Sequence, residues 1–282
     1  MSIIEAIVLG LLQGLSEFIP ISSTGHLTVA GKLMNLISAE HPEYWTAFIA
    51  VIQLGTLLAV LLYFRKDIVS ITADFLKDNL KERKSFKSQS LNSRLGWLIL
   101  AGSVPIVIIG LLFKQEIEGT FTKDLTVIAI SLIALALILA IAEKVARHRR
   151  KIDQMNFLDA ILIGIAQAVA LIPGSSRSGT TITGGLFMGF ERETAARFSF
   201  LLSIPAVLAS GLLQLYEALK FIDQSMALNL IISTVVSGIS GYAAIDFLLK
   251  FLRRHTTFLF IYYRIALGIL IFILLSLNVI QS

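Results

Sequence analysis

Cysteine is absent from the 282-residue sequence, so disulfide bonds and thiolate metal sites are excluded. Charged residues are scarce as well, at 15% of the chain, whereas ordinary soluble domains carry about 25%. Hydrophobic residues make up 56% and the mean hydropathy is +0.81. A chain with so few charges cannot cover its own surface with polar groups, so the composition predicts a protein whose solvent is largely lipid.

Long apolar stretches divide the chain. A helix needs about 20 consecutive apolar residues to cross a bilayer. Six stretches meet that requirement and are predicted as membrane-spanning helices: Tyr44–Phe64, Leu95–Phe113, Leu125–Ala142, Phe198–Tyr216, Met226–Leu249 and Phe258–Ile280.

The basic residues are concentrated in alternate loops. The net charge of +5 could suggest a nucleic-acid partner, but the Lys and Arg residues lie in loops between apolar spans, where they fix topology. Loops 65–94, 143–154 and 250–256 are rich in them, and loops 114–124 and 217–224 are poor. The first group is therefore predicted to be cytoplasmic and the second external, and no nucleic-acid partner is expected. The longest loop, 65–94, is interpreted as a solvated linker rather than an amphipathic helix.

Two similar strings occupy the segments that the six spans leave over. GLLQGLSEFIPISSTGH runs from Gly10 to His26, and GIAQAVALIPGSSRSGT runs from Gly164 to Thr180. Each reads as a helix, a Pro-Ser-Gly turn and a second helix. The loop charges place the two strings in opposite orientations, which is the pattern of an inverted repeat with broken helices. We therefore predict an all-α polytopic bundle of six transmembrane helices and two re-entrant hairpins, with repeat halves at 1–152 and 153–282.

The two turns carry the polar residues that are candidates for chemistry. A break in a helix at membrane depth is tolerated where it lines a polar cavity or is packed in protein. Small hydroxyl residues, glycines and helix N-termini let backbone N–H groups approach an anion, and the guanidinium of Arg177 has a fork suited to phosphate oxygens. The turns therefore predict a site for an amphiphilic phosphate. The candidate substrate-binding residues are Gln13, Ser22, Thr24, Ser175, Ser176, Ser178 and Thr181.

Individual residues suggest roles in catalysis. Glu17 follows Gln13 on one helix face and could bind a divalent cation or act as a base. Ser23 would need an adjacent base to act as a nucleophile, and His26 is the only imidazole nearby. Asp246 and Arg264 are the charged residues inside predicted spans, and we expect them to form a structural pair.

These motifs resemble a known family. QGLSEF with PISSTGH, followed by LIPGSSRSGTT and the segment VIQLG at 51–55, is similar to the undecaprenyl-pyrophosphate phosphatases, also called the bacitracin-resistance family. The resemblance covers the whole chain, including the order of the spans. It implies removal of a phosphate from undecaprenyl pyrophosphate, which regenerates the lipid carrier of bacterial cell-wall synthesis.

The resemblance also implies site residues and surroundings. The family's glutamate-rich motif falls on Gln13 and Glu17, its serine and histidine on Ser23 and His26, and its arginine on Arg177. It implies dependence on a divalent cation, Mg²⁺ or Ca²⁺, with Glu17 as the metal ligand. It also implies a multi-pass protein of the bacterial cytoplasmic membrane whose site faces the external side, and it leaves a homodimer open.

Two questions stay open at the level of sequence. Either Ser23 attacks the terminal phosphate with His26 as base, or His26 itself attacks through a phosphohistidine. The alternative function is a transporter or flippase of a lipid phosphate, because inverted repeats commonly serve alternating access.

Overall fold

The computed structural model describes residues 1–38, 40–220 and 224–281, and the chain is helical apart from short turns and one isolated bridge between Arg150 and Phe190. Among the described residues the α-helices are α1 (Ile3–Phe18), α2 (Ser23–Leu33), α3 (Pro42–Tyr63), α4 (Arg65–Leu76), α5 (Leu91–Leu112), α6 (Lys114–Glu118), α7 (Leu125–Val145), α8 (Phe157–Val169), α9 (Arg177–Phe187), α10 (Arg192–Ala218), α11 (Gln224–Leu252) and α12 (Phe258–Ser276).

Six of these helices are long and apolar enough to cross a membrane, judged by length and composition: α3, α5, α7, α10, α11 from Met226, and α12. They coincide with the six predicted spans, which confirms an all-α polytopic membrane bundle. The last helix ends at Ser276, whereas the apolar pattern predicts that it continues to Ile280. Asn278 has a positive φ of 55° and breaks the helical backbone there.

Two pairs of shorter helices form the predicted hairpins. α1 and α2 have 16 and 11 residues, and α8 and α9 have 13 and 11. At about 1.5 Å of rise per residue none of them crosses a hydrocarbon core of roughly 30 Å. Each pair is joined by a short turn and is buried against the long helices.

The packing of the two hairpins follows one scheme. α1 lies against α11 and α8 lies against α5, while α3 and α10 contact each other. Glycines permit the close approach: a Cβ on Gly164 would lie 2.2 Å from the carbonyl oxygen of Gly102, and one on Gly55 would lie 2.0 Å from that of Thr234. Small residues at helix contacts are typical of membrane bundles. The division into inverted halves at 1–152 and 153–282 stays a prediction.

Ion pairs join the basic loops. Arg253 at the end of α11 contacts Glu193 at the start of α10, with 2.6 Å between Nη2 and Oε1. Arg192 and Arg197, also near the start of α10, pair with Glu143 at the end of α7 and Asp67 at the start of α4. The three loops predicted to be cytoplasmic therefore meet at one end of the bundle.

Two sequence-based expectations are wrong. Loop 65–94 is not a linker, because α4 continues α3 and a π-helical turn at Lys77–Lys81 follows it. Asp246 and Arg264 do not pair: Asp246 binds Lys250 at 2.7 Å and accepts a hydrogen bond from Tyr63. Arg264 is buried and donates to backbone carbonyl groups instead. The sequence-based prediction paired opposite charges, and it could not foresee that Arg264 is satisfied by neutral carbonyl groups.

Candidate active site

The two turns end in the same local structure. Ser22 is the N-cap of α2 and Ser176 is the N-cap of α9, and their hydroxyl oxygens accept hydrogen bonds from the N–H groups of Gly25 and Gly179 at 3.2 and 3.1 Å. Both serines have a positive φ, 75° and 68°. Such backbone costs about 1–3 kcal/mol and persists only where the surroundings hold it. As a result Ser23 and Arg177 are each the first residue of a helix.

Buried contacts fix the second turn and attach it to the first. The guanidinium of Arg264 donates to the carbonyl oxygens of Ser175 at 3.0 Å and of Gly174 and Leu132 at 3.3 Å. Ser178 Oγ donates to the carbonyl oxygen of Ile19 at 3.3 Å. The position of Arg177 therefore depends on α12 and α7 as well as on its own turn.

Glu17 lies at the centre of the site. Its side chain is buried, and Oε2 accepts hydrogen bonds from Ser23 Oγ at 2.7 Å and from Gln13 Nε2 at 2.9 Å. Its other oxygen, Oε1, lies 3.7 Å from Nη2 of Arg177. One carboxylate thus contacts the hydroxyl of the first turn and the guanidinium of the second. The two hairpins converge on it.

His26 has other partners than Ser23. Its Nδ1 lies 2.7 Å from the carbonyl oxygen of Ser22, and its Nε2 lies 2.6 Å from the hydroxyl oxygen of Tyr263, against which the ring also stacks. The expected contact between Ser23 and His26 is therefore not formed. The reason is local. The imidazole Nδ1 bends back to the carbonyl oxygen of the helix cap four residues earlier, and this orientation turns Nε2 toward α12.

The other predicted ligands fall into three groups. The hydroxyls of Ser22 and Ser176 cap helices, and Thr181 Oγ1 donates to the carbonyl oxygen of Arg177 at 2.7 Å and contacts Ser199, so these hydroxyls are engaged within the fold. Thr24 lines the cavity described next. Ser175 Oγ is buried and finds no hydrogen-bond partner among the described residues.

A cavity of about 210 Å³ adjoins the site. The polar residues that line it are Thr24, Thr28, Thr46, Gln53, Thr122, Lys123, Arg177, Ser210 and Gln214. Gln53 Oε1 accepts a hydrogen bond from Arg177 Nη2 at 3.3 Å, while Arg177 Nη1 is buried without a hydrogen-bond partner in the described parts of the chain. The guanidinium therefore retains donor capacity beside a polar cavity.

Sequence reasoning missed three residues of this region. Gln53 is a lone amide in an apolar span, which is a usable signal for a functional position. Lys123 was considered only as a basic residue of a loop predicted to be external. No feature of the sequence marked Tyr263 as a site residue, because aromatic residues are common in membrane helices.

An apolar groove shares part of its wall with the cavity. Its volume is about 230 Å³, and it runs between α5 and α10. Arg177, Leu171 and Gln214 line both spaces. The apolar part of the groove is formed by Ile106, Val107, Leu111, Ala206, Ala209 and Leu213. A cation therefore lies where a hydrocarbon-lined groove meets a polar cavity.

The residues around Glu17 offer oxygen atoms to a hard cation. No group of three His, Asp or Glu side chains suited to a metal occurs within residues 1–38, 40–220 and 224–281. However, Gln13 Oε1 is a buried acceptor without a partner in the same described region, and it belongs to the amide that donates to Glu17. Mg²⁺ is commonly held by one or two carboxylates together with substrate phosphates and water. The donor set fits that mode of binding.

Comparison with known proteins identifies the family. Residues 6–270 match the family described as Bacitracin resistance protein BacA. The undecaprenyl-diphosphatase of Syntrophobacter fumaroxidans is 56% identical, with 95% of each chain covered. Those of Chloroherpeton thalassium and Myxococcus xanthus are 51% and 52% identical, and the matches cover 100% and 98% of this chain and 100% and 90% of theirs. The chain belongs to the bacitracin-resistance family of BacA proteins.

Proposed function

We infer that this chain is an undecaprenyl-diphosphatase of the bacterial cytoplasmic membrane. It hydrolyses undecaprenyl diphosphate to undecaprenyl phosphate and inorganic phosphate, and so recycles the lipid carrier of cell-wall synthesis. The observation that carries the proposal is the contact of one carboxylate, Glu17, with both Ser23 and Arg177. A nucleophile, a base and a phosphate-binding cation are thereby brought together beside a polar cavity.

The first step is attack by Ser23 on the terminal phosphorus. The hydrogen bond of 2.7 Å from Ser23 Oγ to Glu17 provides a path for the hydroxyl proton to the carboxylate. The new bond joins Oγ to phosphorus, and the bridging P–O bond breaks with its electron pair on the departing lipid monophosphate. Arg177 exchanges its contacts with Glu17 and Gln53 for phosphate oxygens and stabilises the charge that develops on them.

The second step returns the enzyme to its first state. Water attacks the phosphorus of the phosphoserine and the P–Oγ bond breaks. Glu17 returns to Oγ the proton that it took in the first step, its carboxylate accepts a proton from the attacking water, and inorganic phosphate leaves. Glu17 and Gln13 Oε1 are the groups that would hold a divalent cation, Mg²⁺ or Ca²⁺. When bound, such a cation supplies charge neutralisation at the phosphate oxygens.

The geometry favours Ser23 over His26 as nucleophile. Ser23 is hydrogen-bonded to a base, whereas both ring nitrogens of His26 are engaged by the cap carbonyl and by Tyr263. The phosphoenzyme distinguishes the two assignments, because phosphoserine survives acid and phosphohistidine does not. We expect an acid-stable adduct after a rapid acid quench, and an acid-labile one would transfer the role to His26.

The substrate is proposed to approach from the lipid. Its prenyl chain would lie along the groove between α5 and α10, which meets the polar cavity at Arg177. By the distribution of basic loops the cavity belongs to the external half of the bundle, since it is lined by Thr122 and Lys123 of loop 114–124. The site is therefore proposed to face the external side.

Phosphate release tests the activity. Purified protein in detergent has no second compartment, so a transporter or flippase would give no product there. We expect phosphate release from undecaprenyl diphosphate, its loss on chelation and its return with Mg²⁺ or Ca²⁺. Absence of release under all of these conditions would refute the enzyme assignment. The matched relatives are named as phosphatases, and no feature of the site favours the transport alternative.

A further inference from the structure

Lys123 is a buried cation on the wall of the cavity that holds Arg177. It ends the short 3-10 turn Thr120–Lys123 between α6 and α7, and only 5% of it is exposed. Its ammonium donates to the carbonyl oxygens of Gly119 at 2.6 Å and Glu118 at 2.8 Å, and to Thr46 Oγ1. All three acceptors are neutral.

The charge on Lys123 has no counterion in contact. In the described parts of the chain no carboxylate lies within ion-pairing distance of its Nζ, and the two acids whose charges act on it, Glu118 and Glu43, are engaged elsewhere. The Glu118 carboxylate accepts a hydrogen bond from Gln214 at 2.8 Å and lies 3.6 Å from Lys114. The Glu43 carboxylate lies 3.0 Å from His41. Burial without such a partner lowers the pKa of Lys123 to about 8.

The cavity thus has two cations on its walls. Lys123 and Arg177 both line it, together with neutral groups such as Thr24 and Gln53, and the acid in contact with Arg177 is Glu17. Its volume of about 210 Å³ is several times the roughly 30 Å³ that a water molecule occupies in the liquid. A buried cation that faces such a space is stabilised by an anion that enters it.

We propose that Lys123 is a substrate-binding residue that recognises the second phosphoryl group of a diphosphate, while Arg177 binds the terminal one. The ammonium exchanges one neutral acceptor for a phosphate oxygen. This inference rests on the proposed function and extends it: two cations on one cavity select a diphosphate over the monophosphate product, which can engage only one of them fully. Product release is thereby favoured after the bridging bond breaks.

The test compares steady-state constants of charge-removing and charge-keeping variants with a prenyl diphosphate substrate. We expect Lys123→Met to raise KM about tenfold or more with kcat changed by less than about threefold, and Lys123→Arg to restore KM to within about threefold. Lys220→Met is the matched control, because Lys220 is an exposed basic residue of the other external loop and lines neither space. An unchanged KM in Lys123→Met would overturn the proposal.

A binding measurement separates recognition from a merely structural role. In a Ser23→Ala background, calorimetry with methylene diphosphonate and with inorganic phosphate reports affinity without turnover. Lys123→Met should lose about tenfold in diphosphonate affinity and about twofold or less in phosphate affinity. Equal losses for both ligands, or a lowered Tm with unchanged diphosphonate affinity, would mean that Lys123 only holds loop 118–119 against α3.

Each outcome distinguishes the two proposals. Phosphate release by the wild-type chain together with an unaffected Lys123→Met variant refutes the inference alone. If the chain releases no phosphate but binds diphosphonate in a manner that depends on Lys123, the proposed activity is refuted and the proposed binding site is supported. If Lys123→Met does not fold, Lys123→Gln and the charge-keeping Lys123→Arg provide the same comparison.

Discussion

Ser23 and Arg177 occupy the same position in two turns of the same construction, and the carboxylate of Glu17 contacts both of them. Each is the first residue of a helix whose cap is a serine with a positive φ. A repeated turn has therefore placed two different chemical groups opposite each other. The first turn supplies a hydroxyl, and the second supplies a fixed cation.

Removal of the guanidinium should abolish most of the activity without unfolding the protein. Arg177 contacts Glu17 and Gln53 but does not hold the turn, which Arg264 fixes from outside. We expect Arg177→Ala to lower kcat/KM by about 10²–10³, the usual loss when a donor to a developing anion is deleted. Phosphate release and Tm are measured together, with the exposed Arg254→Ala as control. Activity within tenfold of wild type would argue against this site.

Glu17 and Ser23 should behave as one catalytic unit. The hydroxyl of Ser23 donates its hydrogen bond to Glu17. Removal of the hydroxyl or of the carboxylate therefore disables the same step, the attack on phosphorus. Groups that act as a unit are strongly non-additive. We expect Glu17→Gln, Ser23→Ala and the double variant to lose activity to within about fivefold of one another.

The kcat values of the four members of this cycle provide the measurement. Glu116→Gln is the control, since Glu116 is an exposed acid of α6. Losses that multiply in the double variant would show that Glu17 is not the partner of Ser23 in the reaction.

The spans were predictable and the pairings within the site were not. Hydropathy locates α3, α5 and α7 because a membrane helix must be apolar over a set length, and repeated turn residues locate the two hairpins. The partner of Ser23 depends on the angle between α1 and α2, which spacing along one helix cannot give. His26 was assigned to Ser23 on such spacing, and the cap geometry turns it toward Tyr263 instead.

Charge counting failed for a related reason. Charge counting predicts an acidic partner for Arg264. In the fold its guanidinium instead donates hydrogen bonds to carbonyl groups at the break between α8 and α9. The same counting treats Lys123 as a marker of topology, whereas burial beside a cavity gives the residue a chemical environment of its own. Both environments arise from contacts distant in sequence.

Substrate binding should weaken in alkaline solution because of Lys123. Its pKa in the folded chain is about 8, below its ordinary value of 10.5, since burial disfavours the charged form. The groups that face it are Glu43 and Glu118, which raise the pKa, and Arg177 across the cavity. Only the protonated form attracts phosphate, so binding is strongest below pH 8 and declines as the pH rises through that value.

The pH profile of KM provides the check. We expect wild-type KM to rise above pH 8 and to level off near the KM of Lys123→Met, about tenfold higher, once the ammonium is deprotonated. Lys123→Arg, whose guanidinium stays charged, should give a flatter profile with the same substrate. Ionisation of the substrate is common to both proteins and cancels in the comparison. Identical profiles would exclude Lys123 as the origin of the alkaline loss.

The groove between α5 and α10 should determine the preference for long prenyl chains. A Cβ built on Gly110 meets no atom within 4 Å, so a larger side chain there fills the groove without disturbing the helix contacts. We expect Gly110→Phe to raise KM for undecaprenyl diphosphate about tenfold, equivalent to about 1.4 kcal/mol of lost apolar contact, with little change for farnesyl diphosphate. The matched control is Val104→Phe, because Val104 is a half-exposed residue of the same helix that does not line the groove. Equal effects on both substrates, or an equal effect of the control, would place the prenyl chain elsewhere on the bundle.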